Sequence, residues 1–251
     1  MNANNNGILM IKKMWVENRK IILIALGAYA GFCAILGLWL GWLDTGGGQG
    51  QVILYLGLAQ LALSVMASMM FGALKTKEGR ISLLMCPATA QQKFWPRLLA
   101  VVPMALIVVI GGFYLLDLFR VLMELISYGK SVPFSNPFVY IDAYSPYLPI
   151  KGMLALGLGA TLLSILIYFL GGVVWPRYSF IKTMAALYGL QLFVSIIGAL
   201  IFRHVKLDFL DNETGLWIIT GLIYAACAVV VWLSYIFFRR VTLTRSLSRK
   251  K

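Results

Sequence analysis

The chain carries little with which to do chemistry. Its 251 residues include one histidine, three cysteines and nine acidic residues, and charged residues of both signs make up only 12%. Cys33, Cys86 and Cys227 show no CxxC spacing and two of them fall inside apolar runs, so neither a disulfide framework nor a metal site is indicated. The one histidine, His204, sits beside Arg203 at the edge of an apolar run, where it reads as a solvated loop residue rather than a ligand or base. Ser64, Ser68, Ser164 and Ser195 lie in apolar stretches with no histidine or acid that the sequence places beside them, which excludes a hydrolase reading. The chain reads as a non-enzyme with no catalytic residue, no metal ligand and no cofactor of its own.

What is abundant is apolar sequence. With 61% hydrophobic residues and a mean hydropathy of +0.85, a soluble fold of this length would have to enclose more apolar surface than it can. An uncharged run of 23 residues, Ile21 to Leu43, is longer than a signal-peptide core and is followed by no evident cleavage site. Five more runs follow at Val52–Leu74, Leu98–Leu116, Gly152–Trp175, Thr183–Phe202 and Leu216–Phe238, each of 19 to 24 residues. About 20 helical residues cross the hydrocarbon layer. The expected fold is therefore an all-α membrane protein, a single six-span domain over 1–251, with spans at about 21–43, 52–74, 98–119, 152–175, 183–202 and 216–238. Residues 1–20, with Ile8, Ile11 and Trp15 at helical spacing among Lys12, Lys13, Arg19 and Lys20, read as a helix lying in the interface. Residues 239–251 form a basic tail. No span core holds an ionisable residue; Asp117, Arg120 and Glu124 fall on one helical face just past the third run and are expected at the outer headgroups.

The net charge of +13 is spread between apolar runs rather than gathered on a folded polar face, which argues against a nucleic-acid partner. Counting by connection, 17 Lys and Arg fall on one side of a six-span chain and 5 on the other, so the positive-inside rule places both termini in the cytoplasm.

Two constellations stand out. In the first span Gly27, Gly31, Ala34 and Gly41 fall near one face, with Gly37 and Gly41 as a second small-xxx-small pair, a surface on which another helix of this chain or of a second copy packs closely. Between the second and third spans, Lys75 to Arg97 holds five bases against Glu78, an apolar patch at Ile81, Leu83, Leu84 and Met85, a CPAT turn, and Thr89 with Gln92 in capping-box spacing. A linker that only sets topology needs none of these, so the stretch is expected to form a short cytoplasmic helix, a turn and a re-entry.

In that stretch KEGRISLLMCPATAQQKFWPRLL resembles the corresponding loop of small six-span ABC-2 type permeases of Bacteroidetes-type bacteria, and WPRYSFIKT, Trp175 to Thr183, resembles their second inner turn. The resemblance implies the transmembrane subunit of an ABC-type exporter in the bacterial cytoplasmic (inner) membrane, working as a homodimer. It also implies a coupling helix whose docking surface for a separate ATPase is Lys77, Glu78, Arg80, Ile81, Leu84 and Pro87. ATP would be bound by that partner, since this chain has no GxxxxGK[ST] loop. Family members carry re-entrant helices between spans five and six, for which Arg203 to Thr214 is too short. From a different class, a non-transporting membrane anchor or assembly protein would use the same basic face to bind lipid or a partner.

Overall fold

The computed structural model describes residues 3–43, 49–85, 88–129, 133–134, 150–202 and 213–247. Among these every regular element is helical: α1 (Ala3–Trp42), α2 (Gln49–Met69), a 3₁₀ turn (Gly72–Leu74), α3 (Lys77–Met85), α4 (Ala90–Leu106), a π turn (Ile107–Gly111), α5 (Gly112–Tyr128), α6 (Ile150–Val174), α7 (Ser179–Phe202) and α8 (Glu213–Leu247). Four helical stretches among the described residues are long and apolar enough to cross a membrane: Ile22–Trp42, Ala90–Tyr128, Ala155–Val174 and Thr214–Val241. Their outer surfaces are apolar, with Ile24 72% and Leu222 66% exposed. In water that surface would drive aggregation; in lipid it faces its own kind, while each helix keeps its backbone hydrogen bonds internal.

Several element boundaries differ from the sequence reading. The interfacial segment and the first span are one unbroken helix of 40 residues, because no proline or glycine pair interrupts residues 3–42. The second helix stops at Met69, short of Leu74, and the chain tightens into the 3₁₀ turn, where Leu74 N–H donates to the Phe71 carbonyl (2.9 Å). The third is longer than expected, running from Ala90 to Tyr128 over 39 residues. At 1.5 Å per residue it measures about 58 Å, roughly twice the hydrocarbon layer. Its charges flank the uncharged run Leu98–Leu116: Lys93 and Arg97 on one side, Asp117, Arg120 and Glu124 on the other. Gly129 ends α5 in the left-handed region (φ 64°), its N–H on the Leu125 carbonyl (3.1 Å), a conformation that a side chain disfavours.

The chain divides into two compact units, Met1–Met66 with Gln91–Tyr144, and Ala67–Ala90 with Ser145–Lys251. In the first, α1 and α5 lie side by side and parallel. Tyr29 meets Gly112, Gly37 meets Leu116 and Arg120, Gly41 meets Arg120 and Met123, and the Tyr128 hydroxyl donates to the Trp42 carbonyl (2.9 Å). Two consecutive parallel helices require a return path, and α2, about 31 Å long, supplies it. In the second unit α6 and α8 are parallel in the same sense: Gly152 lies by Leu216, and Gly159 by Ile223 and Tyr224, whose hydroxyl donates to the Ala155 carbonyl (3.3 Å). There α7 makes the return, doubling back on the end of α6 with Phe180 stacked on Tyr168 at 5.3 Å.

Candidate functional site

Two polar sites stand out, one in each unit. In the first unit, α4 carries Pro96 and Pro103, neither of which has an amide donor, and beyond Leu106 the helix widens into the π turn. The widened turn presents carbonyls sideways. Tyr29 donates to the Val108 carbonyl (3.1 Å), while the Tyr55 hydroxyl shares its proton between the carbonyls of Val108 (2.8 Å) and Val109. The two hydroxyls lie 3.4 Å apart, and Phe113 packs edge-on to Tyr55. Gly112 leaves room for the Tyr29 ring; a Cβ there would collide with it.

One to three turns further along the same helix, Asp117, Arg120 and Glu124 form a buried triad. Arg120 donates through Nε to Asp117 Oδ1 (2.8 Å), through Nη1 to Glu124 Oε1 (2.7 Å) and through Nη2 to the Pro133 carbonyl (3.3 Å). Their i, i+3 and i, i+4 spacing brings both carboxylates to one guanidinium, with side chains only 0–2% exposed. The polar face that the sequence places just past the third run is thus buried within the unit. The face turns inward because α1 presents glycine opposite it: a Cβ on Gly41 would stand 2.6 Å from the Arg120 carbonyl, and one on Gly37 would overlap the Leu116 carbonyl. Glu124 Oε2 is buried without a hydrogen-bond donor among the described residues.

The glycines singled out in the sequence therefore divide. Gly41, with Gly37, touches α5, whereas Gly27 and Gly31 have nothing within 4 Å of a Cβ position, and Ala34 is half-buried.

In the second unit the loop between α2 and α4 does contain a short helix, α3. The Thr76 side chain caps it, accepting from Gly79 N–H (3.1 Å), and Glu78 in the first turn suits the positive end of the helix dipole. Gly79 seats α3 tightly on the 3₁₀ turn, since a Cβ there would strike the Ala73 carbonyl. Lys77 and Glu78 are exposed, as are Ile81 (50%) and Met85 (77%). Arg80, grouped with them in the sequence reading, turns instead into a cleft. The Leu84 side chain, Cys86 and Pro87 lie outside the described residues, as does His204. Thr89 directly precedes α4 and Gln92 is its third residue, the positions a capping box requires.

The cleft has a volume of about 590 Å³ and is lined by Leu74, Arg80 and the α6–α7 turn with its Val173, Trp175, Arg177 and Lys182, closed by Val241 of α8. The turn is built closely. Trp175 N–H donates to the Gly171 carbonyl (2.8 Å), Tyr178 adopts φ 57°, and Lys182 N–H donates to the Tyr178 carbonyl (3.0 Å). Beneath it the Ser179 hydroxyl donates to the Ser68 carbonyl (3.0 Å), and Gly172 allows α6 to approach that same carbonyl. Phe71 packs against Phe169 (4.8 Å) and Phe238 (5.5 Å), so the ends of α2, α6 and α8 are held together by one aromatic cluster.

The intramembrane serines act on backbone: Ser64 donates to the Gln60 carbonyl (2.8 Å) and Ser234 to Val230 (2.7 Å). Among the described residues no group of His, Cys, Asp and Glu is placed to hold a metal. The sequence reading missed Tyr29, Tyr55, Gly79 and Gly112. Tyrosines within apolar runs were the available signal for the first two; the glycines show their role only through a partner distant in the chain or folded back on it.

Comparison with protein-family models, with curated proteins and with solved structures finds no match for this chain. Its long apolar helices and lipid-suited surface define an all-α, multi-pass membrane protein.

Proposed function

We propose that the chain is the six-span permease subunit of an ABC-type exporter, inserted in the bacterial cytoplasmic membrane with both termini inside and driven by a separate ATPase that docks on α3. The observation that carries the reading is α3 itself. It is a capped, nine-residue helix clamped on the 3₁₀ turn through Gly79, and it turns Lys77, Glu78, Ile81 and Met85 outward at the end of the unit where the α6–α7 turn also lies. A loop serving only to join two spans has no reason to hold a mixed apolar and charged surface in fixed geometry. Support for six crossings comes from the two parallel pairs, α1 with α5 and α6 with α8, each of which needs a returning helix between its members. The charge partition of 17 to 5 supports the orientation. Gly27 and Gly31, open on α1, suit contact with a second copy in a homodimer.

The test is co-purification with a P-loop ATPase encoded beside this chain. The docking variant is the triple Lys77→Ala, Glu78→Ala, Ile81→Asp. It is expected to lose at least tenfold in ATPase capture while keeping the parent's melting temperature, because exposed substitutions shift stability by less than about 0.5 kcal/mol. Undiminished capture by the triple, or no capture by the parent, rejects the permease reading.

A further inference from the structure

We propose that the basic cleft of the second unit binds the phosphate-bearing headgroup of an anionic membrane phospholipid. Arg80, Arg177 and Lys182 line it, and among the described residues no acidic one does. The remaining wall is apolar, made by Leu74, Val173, Val174, Trp175, Pro176 and Val241. That pairing of three cations with a hydrocarbon wall matches an amphiphile whose anionic head and acyl base enter together. A free anion has no use for the wall, and an acidic peptide would leave it unfilled.

The depth of the cleft points the same way. Three apolar runs give way to basic residues here: Leu74 is followed by Lys75, Trp175 by Arg177, and Phe238 by Arg239 and Arg240. Such a change from hydrocarbon-compatible to cationic side chains marks the headgroup level of a bilayer. A volume of about 590 Å³ falls in the range of small-molecule sites, and basic pockets among helix ends are the usual seat of anionic headgroups.

Arg80 supplies a second, independent indication. Its Nε is buried without an acceptor among the described residues, and its Nη2 reaches only the Lys75 carbonyl, at 3.4 Å. A guanidinium held half-buried with donors to spare needs an anion, and a phosphodiester oxygen satisfies it in a fork geometry. The inference stands on the membrane class of the protein and is independent of the exporter reading, since the cleft residues are not the outward residues of α3.

The experiment uses the full chain in a neutral detergent. Native mass spectrometry follows titration with dioctanoyl phosphatidylglycerol, dioctanoyl phosphatidylcholine, inorganic phosphate and hexaglutamate. One phosphatidylglycerol per chain is expected to bind, with the other three at least tenfold weaker. The triple variant Arg80→Gln, Arg177→Gln, Lys182→Gln should weaken that binding about 100-fold, and Arg177→Gln alone about fivefold. The control triple Lys12→Gln, Lys13→Gln, Arg19→Gln removes equal charge from the other unit and should bind as the parent does. If the cleft triple fails to fold, the exposed Arg177→Gln decides alone. Parent-like affinity in the cleft variants, equal loss in the control, or tighter binding of phosphate, phosphatidylcholine or hexaglutamate would each overturn the proposal.

Discussion

Arg120 decides how the first unit's polar residues are tolerated in an apolar setting. Each of two carboxylates lies within 2.8 Å of one guanidinium with almost no exposure, so each charge depends on its partners for solvation. Removing the guanidinium leaves two buried acids facing each other, and Arg120→Met is expected to destabilise the chain by about 3–5 kcal/mol. Replacing the whole triad by apolar residues, Asp117→Leu with Arg120→Met and Glu124→Leu, removes the desolvation penalty along with the attraction. That variant should match the parent or exceed it by about 1–4 kcal/mol. Thermal unfolding in detergent measures both, and a triad-free variant as unstable as Arg120→Met would show that the ions do more than hold helices.

At the scale of the element, close approach between α1 and α5 is set by which glycines face the partner helix. A Cβ on Gly41 would lie 2.6 Å from a backbone carbonyl and 2.8 Å from Met123 Cβ, and backbone has no rotamer by which to yield. Gly41→Leu is therefore expected to lower stability by about 1–3 kcal/mol, as overpacking does. Gly27→Leu and Gly31→Leu should stay within about 0.5 kcal/mol, since open space receives their side chains. Unfolding midpoints of the three variants, measured side by side at low protein concentration, check the order. Any change that Gly31→Leu makes in oligomeric size would then report contact with a second copy rather than with α5. The π turn is a second device of the same scale: it aims the Val108 and Val109 carbonyls at two tyrosines instead of along the helix axis.

For the whole molecule, the charge partition predicts the orientation. Reporter fusions after Lys251 and within 88–89 are expected to read cytoplasmic, and a fusion at Pro137 external. An external reading after Lys251 would leave the 17 to 5 partition without effect and remove the basis for six crossings. The parallel pairs add a constraint that charge alone lacks, because α1 with α5 and α6 with α8 can run in the same direction only if the chain returns between them.

Much of this was present in the linear chain. Apolar runs of 19 to 24 residues specify where helices form, since the bilayer sets the length and the backbone must bond within each segment, but not where they end: α1 begins well before its run, and the third helix extends beyond its run on both sides. Thr76 and Thr89, polar residues placed just before α3 and α4, mark those starts locally, as does the turn after Trp175. The i, i+3, i+7 spacing of Asp117, Arg120 and Glu124 was equally plain as one face of one helix. What local pattern could not decide was the direction in which that face points. Its burial depends on Gly37 and Gly41, some 80 residues away, allowing backbone to approach backbone. The same holds for Tyr29 and Tyr55 on the π carbonyls, and for Arg80, which one-helix reasoning groups with its exposed neighbours and tertiary packing turns into the cleft beside Arg177 and Lys182. Length, charge and spacing act within a segment and are written there; burial and partnership arise between segments, and only the folded chain brings those together.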